Sequence, residues 1–278
     1  MSKLSQARRI GALAGVGALL VSLAACSAAT EDSTSATLTQ GKLTIATGEP
    51  AYYPYVLDDA PESGNGFESA VAYAIADEMG YSSEDVVWVR TTFEAAIQPG
   101  PKDFDFNLQQ YTITEERAQN VDFSVPYYST PQAVITVESS PAAGASSLSE
   151  LADTLVGAAS GSTSFQAIEE IIEPVAGAQA FNNNDDAKLA LETGQIDALV
   201  VDLPTAFYLT GVELTGGLIV GQLPGTAGLA DEWGLVLAKD SALTEAVNKA
   251  IESLQDSGKL QEITDEWLGS DQGAPTLN

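Results

Sequence analysis

A set of polar residues stands just beyond apolar, strand-like runs. Glu49 follows residues 42–47, Gln109, Gln110 and Thr112 follow 104–108, Ser162 and Thr163 follow 155–159, and Asp202 closes 196–201. Ligands of open α/β sheets settle beyond the carboxyl ends of the strands, so these groups are the candidates for contact. The chemistry open to them is recognition by charge and hydrogen bonding. The chain has no histidine, which excludes Ser-His-Asp catalysis, histidine bases and histidine metal sites, and no cofactor is expected. Ser162 and Thr163 occupy a strand-to-helix turn whose free N–H groups either attract an anion or are capped by the hydroxyls. The run around them lacks the Gly-Lys-Ser/Thr element of a phosphate loop. Asp202, followed by Leu203 and Pro204, is either the N-cap of the next helix or an acceptor for a cationic group. Arg117 carries a planar fork suited to a carboxylate, while the neighbouring Glu115 and Glu116 make a surface ion pair the better reading from these residues alone.

The elements that must position these residues alternate along the chain. Strand-like runs at 42–47, 86–89, 104–108, 133–137, 155–159, 196–201 and 233–238 interleave with helix-like runs at 67–79, 92–97, 148–152, 164–172, 185–193, 243–254 and 260–268. Val71, Ile75 and Met79 lie four apart, and Gly80 and Gly194 supply helix stops. Thr114 suits the cap of a turn starting at Glu115. This alternation predicts an α/β fold with mostly parallel sheets, and its two successive series predict two lobes.

Charge and the N-terminus bound the setting. The formal net charge is −28. The first 25 residues contribute +3 through Lys3, Arg8 and Arg9, so the rest carries −31. Such a surface repels phosphate backbones, and nucleic acid is not an expected partner. Residues 10–25 form an uncharged Leu/Val/Ala/Gly stretch, too short for a comfortable membrane span but suited to a signal peptide. It ends in Leu23-Ala24-Ala25-Cys26, and Cys26 is the sole cysteine, so no disulfide supports the fold. The Leu-Ala-Ala-Cys run resembles the lipobox of bacterial lipoproteins, which implies cleavage before Cys26 and lipid on its sulfur. Residues 26–41, rich in Ser, Thr and Ala, read as a flexible tether.

Several segments resemble one family in order. They are Gly48-Glu49-Pro50-Ala51-Tyr52-Tyr53-Pro54-Tyr55, Gly66-Phe67-Glu68, Thr112-Ile113-Thr114-Glu115-Glu116-Arg117, Val121-Asp122-Phe123-Ser124-Val125-Pro126-Tyr127-Tyr128, Ala159-Ser160-Gly161-Ser162-Thr163-Ser164, Ile196 to Asp202, and Gly258-Lys259-Leu260 with Trp267-Leu268-Gly269. Together they are similar to the polar amino acid-binding proteins of ABC importers, over essentially all of residues 42–269.

The resemblance implies a two-lobe clamshell of the type II periplasmic binding protein fold. Lobe one would hold residues 42–130 and 231–269, lobe two 131–230, and 270–278 would form a C-terminal tail. The chain would cross near 129–132 and again near 228–231. In this reading Arg117 takes the ligand's carboxylate, with Thr112, Ser162 and Thr163 adding donors. Asp202 takes the ammonium, and Tyr52 and Phe93 stack on the ligand. Glu49 stands where the family often has Asp, and Gln109 and Gln110 where it has small residues, which points to a polar ligand and leaves a basic one open. The implied protein is a lipid-anchored monomer on the outer face of the membrane that serves a permease and performs no chemistry. A same-fold dehydratase and a sensor component are the alternatives.

Overall fold

The computed structural model describes residues 36–224, 231–269 and 273–278. The expected signal peptide and Cys26 lie outside the described residues, as do part of the tether, part of the tail and residues 228–230 of the second crossing.

The chain opens with β1 (Leu43–Gly48), α1 (Phe67–Glu78), β2 (Val86–Thr91), α2 (Phe93–Ile97), β3 (Phe106–Asn107), β4 (Val121–Phe123) and β5 (Tyr128–Thr130). It continues with β6 (Gln132–Val137), α3 (Leu148–Leu151), β7 (Val156–Ala159), α4 (Thr163–Ala167), β8 (Gln179–Phe181), α5 (Asn184–Glu192), β9 (Ala198–Asp202), α6 (Leu203–Tyr208) and β10 (Gly217–Gln222). It closes with β11 (Asp231–Trp233), β12 (Val236–Ala238), α7 (Thr244–Asp256) and α8 (Lys259–Trp267). Helices α4 and α6 each run on into a π turn, at Ile168–Ile172 and Leu209–Glu213.

Two five-stranded sheets result, β2-β1-β3-β12-β4 and β10-β6-β9-β7-β8, and each is the floor of one lobe. Each sheet is mixed. β1 pairs parallel with β2 and β3, and β12 runs antiparallel to β3 and β4. In the second sheet β7 pairs parallel with β8 and β9, and β6 runs antiparallel to β9 and β10. The expectation of mostly parallel sheets holds by strand direction: four of the five strands in each sheet run the same way, and the one reversed strand is the first to enter after each crossing, β6 in the second sheet and β12 in the first.

Period-two alternation sends successive side chains of a strand to opposite cores. Leu43 and Ile45 join Phe67, Val71 and Ile75 of α1 and Val247 and Ile251 of α7, while Ala46 faces Phe104, Tyr111 and Val236. In the second lobe Ile135, Leu199 and Val201 share one cluster, and Val134, Ala198 and Val200 the other. Helices therefore cover both faces, which is why these strands read as continuous apolar runs. The entry to α1 depends on Gly66, whose φ is 105°. A Cβ there would approach the Tyr55 carbonyl oxygen to 2.5 Å.

The chain passes from the first sheet to the second through β5 and returns through β11. These two strands pair antiparallel, with Asp231 opposite Thr130. The run at 233–238 is accordingly two strands, separated by Gly234 and Leu235, with β11 in the crossing and β12 in the first sheet.

Both expected flanks are held against the lobes where they are described. Leu38 N–H donates to Asp105 Oδ1 at 2.8 Å, so the end of the tether is fixed. Thr276 bridges to Gln222 in parallel, and Leu277 is 3 % exposed within a core cluster of the second lobe.

Candidate ligand-binding site

A cavity of about 200 Å³ lies between the lobes. The first lobe contributes Glu49, Tyr52, Phe93, Gln109 and Gln110, and the second Ser162, Thr163, Asn182, Asn183, Asn184 and Asp202. Seven of the expected site residues therefore meet in one wall: Glu49, Tyr52, Phe93, Gln110, Ser162, Thr163 and Asp202. Thr112 and Arg117 lie beneath this cavity rather than in its lining. Glu49 sits on the exposed rim.

Arg117 starts a short 3-10 turn (Arg117–Gln119), and its N–H donates to Thr114 Oγ1 at 3.2 Å, the local cap the sequence suggested. The side chain turns inward and is 6 % exposed. It forms no ion pair with Glu115 or Glu116. Nη1 donates to Thr112 O at 2.7 Å, and Nη2 crosses to Gly161 O of the second lobe at 2.9 Å. The guanidinium lies over the Phe93 ring, with Cζ 5.4 Å from its centroid, and that ring lines the cavity and stacks on Tyr111 at 4.5 Å. Burial lowers the pKa of Arg117, offset in part by Tyr111, Asp231 and Asp202.

Asp202 ends β9 and begins α6, yet its side chain makes no capping bond. It points into the cavity, where Oδ1 accepts from Gln132 Nε2 at 2.6 Å. No cation pairs with it among the described residues. Enclosure, the nearby Asp231 and Glu68 push its carboxyl up to about 8, with the Gln132 bond and Arg117 opposing. Ser162, by contrast, does cap, accepting from Phe165 N at 3.1 Å.

Sequence reasoning missed a supporting layer. Glu68, in the first turn of α1, is 1 % exposed. It accepts from Gln110 N at 2.8 Å, from Gln110 Nε2 at 2.5 Å and from Tyr127 Oη at 2.5 Å. Those bonds fix both the side-chain amide and the backbone of Gln110, whose φ of 51° lies in the left-handed region, where the residue lines the cavity. Burial raises the Glu68 carboxyl to about 7 against the three donors. Asn183 was missed too. It caps α5 by accepting from Asp186 N at 2.8 Å, and with Asn182 and Asn184 it lines the second lobe's side of the cavity. The Asn-Asn-Asn run before a helix was the available signal.

The lobes touch around the cavity. Tyr55 Oη lies 2.9 Å from Thr205 Oγ1, Thr112 Oγ1 lies 3.2 Å from Thr163 Oγ1, and the Tyr53 and Tyr208 rings sit 4.3 Å apart.

Two α/β lobes joined by a paired double crossing, with a polar cavity between them, define a bilobal ligand-binding protein. Residues 43–270 match the model of the bacterial extracellular solute-binding proteins, family 3, and the chain belongs to that family. It is 30% identical over 234 residues to an L-arginine-binding protein of Pseudomonas aeruginosa, covering 80% of this chain and 86% of that one. It is 30% identical over 217 residues to the ABC transporter glutamine-binding protein GlnH of Bacillus subtilis, covering 76% of each. Among solved structures, an ancestral arginine-binding protein bound to glutamine matches with a TM-score of 0.69 and 30% identity, covering 84% of this chain and all of that one.

Proposed function

We propose that this chain is the amino acid-binding component of an ABC importer, anchored outside the membrane by lipid on Cys26 and working as a monomer with a separate permease. It captures its ligand between the lobes and hands it over unchanged, without catalysis. The observation that carries this reading is Asp202, a carboxylate enclosed in the cavity with no cationic partner among the described residues. An α-ammonium supplies the missing charge, and leaving a buried charge unpaired costs about 2–5 kcal/mol. Thr163, in the lining, and Arg117 and Thr112, just outside it, are the partners assigned here to the ligand's carboxylate.

The lining also bears on the side chain of the ligand. Its charged residues are Glu49 and Asp202, and amides and hydroxyls together supply most of the rest. A second carboxylate on the ligand finds no cation there, which favours an amide or cationic side chain over an acidic one. The size of the cavity suits a single small solute.

The test is a thermal-shift and calorimetric panel of amino acids, short peptides and sugars on residues 36–278. Glutamine-like or arginine-like amino acids are expected to stabilise the protein, by about 2.7 kcal/mol at a hundredfold excess over Kd, and to be recovered unchanged. Stabilisation by sugars alone, or conversion of the amino acid to product, would overturn the proposal.

A further inference from the structure

Asp231 belongs to the second crossing, outside the cavity lining, yet its carboxylate gathers donors from both lobes. Oδ2 accepts from Gln132 Nε2 at 2.6 Å, from Thr163 Oγ1 at 2.8 Å and from Thr112 Oγ1 at 3.2 Å. Thr112 is a first-lobe residue, while Thr163 and Gln132 belong to the second. No salt bridge reaches Asp231 among the described residues, so its charge is met by these neutral donors. The arrangement is also braced from behind, since Gln132 Oε1 accepts from Ser164 Oγ at 2.5 Å.

Thr112 and Thr163 are the hydroxyls assigned above to the ligand's carboxylate. A hydroxyl has one proton to donate. Each can serve Asp231 or an incoming carboxylate, but not both at once. Gln132 faces no such choice, since its amide has two N–H donors, but it couples the two carboxylates. Its Nε2 group spans Asp202 Oδ1 and Asp231 Oδ2, so the residue assigned to the ammonium and the residue holding the threonines share one amide. A second cavity, with Thr112, Gln132, Thr163 and Asp231 in its wall, gives the Asp231 carboxylate space to turn into when it is displaced.

We propose that Asp231 is an internal competitor for the ligand's carboxylate, which latches the two lobes through Thr112 and Thr163 in the unliganded protein and is exchanged for the ligand on binding. This rests on the binding reading above. The thermodynamic consequence is definite. A contact made only without ligand stabilises the unliganded state alone, so it lowers the apparent affinity by its own equilibrium weight. Removing it opens the unliganded protein and tightens binding.

The experiment uses Asp231→Asn and Asp231→Ala, with two readouts. The first needs no ligand: small-angle scattering, with spin-label distances between the lobes, on the unliganded protein. Both variants are expected to shift toward an open form with a larger radius of gyration. The second is the Kd of the amino acid that most stabilises the wild type, expected to fall by about three- to tenfold, the weight of one or two net hydrogen bonds. An unliganded variant as compact as wild type, or a raised Kd, overturns the latch. If either variant fails a circular-dichroism test of folding, Thr163→Val removes the 2.8 Å donor and is read by scattering alone, with the same expected opening. A wild type that binds no amino acid overturns the binding reading instead, and the scattering comparison still decides whether the latch exists.

Discussion

Asp202 shows how much a single side chain depends on what surrounds it. Its ordinary carboxyl value is 3.8, and enclosure without a cation lifts it to about 8. In the unfolded chain the proton leaves near the ordinary value, while in the unliganded fold it stays. The fold therefore binds more protons between those limits, and the stability this group contributes is fully present below about pH 4 and is lost as pH rises toward 8. Glu68, lifted to about 7, acts in the same direction. An ammonium-bearing ligand reverses the preference by pairing with the ionised form. Two results are expected. The thermal midpoint of the unliganded protein falls between pH 5 and 8. Amino acid binding at pH 7 releases close to one proton, measured by calorimetry in buffers of different ionisation heat, and Asp202→Asn abolishes that release while weakening binding at least tenfold, a floor set by the cost of removing a buried ionic partner. Unchanged proton release in the variant would assign the titration elsewhere. From the sequence, Asp202 was an even choice between cap and ligand contact. The missing capping bond removes the side-chain cap, and that is a matter of side-chain direction that spacing does not carry.

At the scale of elements, most strands and helices long enough to show a period were legible, although β10, six residues with glycine at both 217 and 221, was not. α1, α5, α7 and α8 lie close to the runs that predicted them, because four-residue spacing and glycine stops mark a helix wherever it packs. β4, β5 and β8 were not legible, since three residues cannot display a period. They are held by pairing with chain far away in sequence. The same limit hid the role of Glu68. Its partner Gln110 lies 42 residues on, and only the packing of the first turn of α1 under β3 brings them together. That geometry yields a prediction about how an element sets a site. Glu68→Ala leaves Tyr127 Oη and both Gln110 donors unsatisfied and frees a backbone held in the left-handed region. It is expected to cost about 2–4 kcal/mol of stability and to weaken amino acid binding several-fold. Glu68→Gln, which keeps the shape and can still accept through its carbonyl oxygen, is expected to recover much of the stability. Urea unfolding gives the first quantity and calorimetry the second, and equal binding by Glu68→Ala and wild type would separate Gln110 from the ligand.

For the whole molecule, the paired crossing of β5 and β11 is joined by a further connection that composition did not reveal. Residues 273–278 follow the first lobe's last helix but dock on the second lobe. Gln222 N donates to Pro275 O at 2.8 Å, Leu277 N to Gln222 O at 2.9 Å, and Leu148 N to Asn278 O at 3.1 Å. Leu277 enters the cluster that holds Val134, Val156 and Leu223, and the absence of a side chain at Gly221 makes room, since a Cβ there would come within 2.8 Å of Leu277 Cγ. A lone leucine in a polar tail gives no periodic signal, so its burial could not be read from the sequence. Full burial of a leucine is worth about 1.5–3 kcal/mol, and the backbone bonds add to it. Deleting residues 273–278 is therefore expected to destabilise the protein by about 2–4 kcal/mol, measured as a lowered urea midpoint. Leu277→Ala is expected to account for a large part of the loss. Because none of residues 273–278 lines the binding cavity, amino acid affinity at a temperature where both forms are folded is expected to stay within about threefold of wild type, a coupling of under about 1 kcal/mol. A larger change in affinity would mean that this third connection restrains the hinge, and the scattering profile of the truncated, unliganded protein would then show an altered lobe separation.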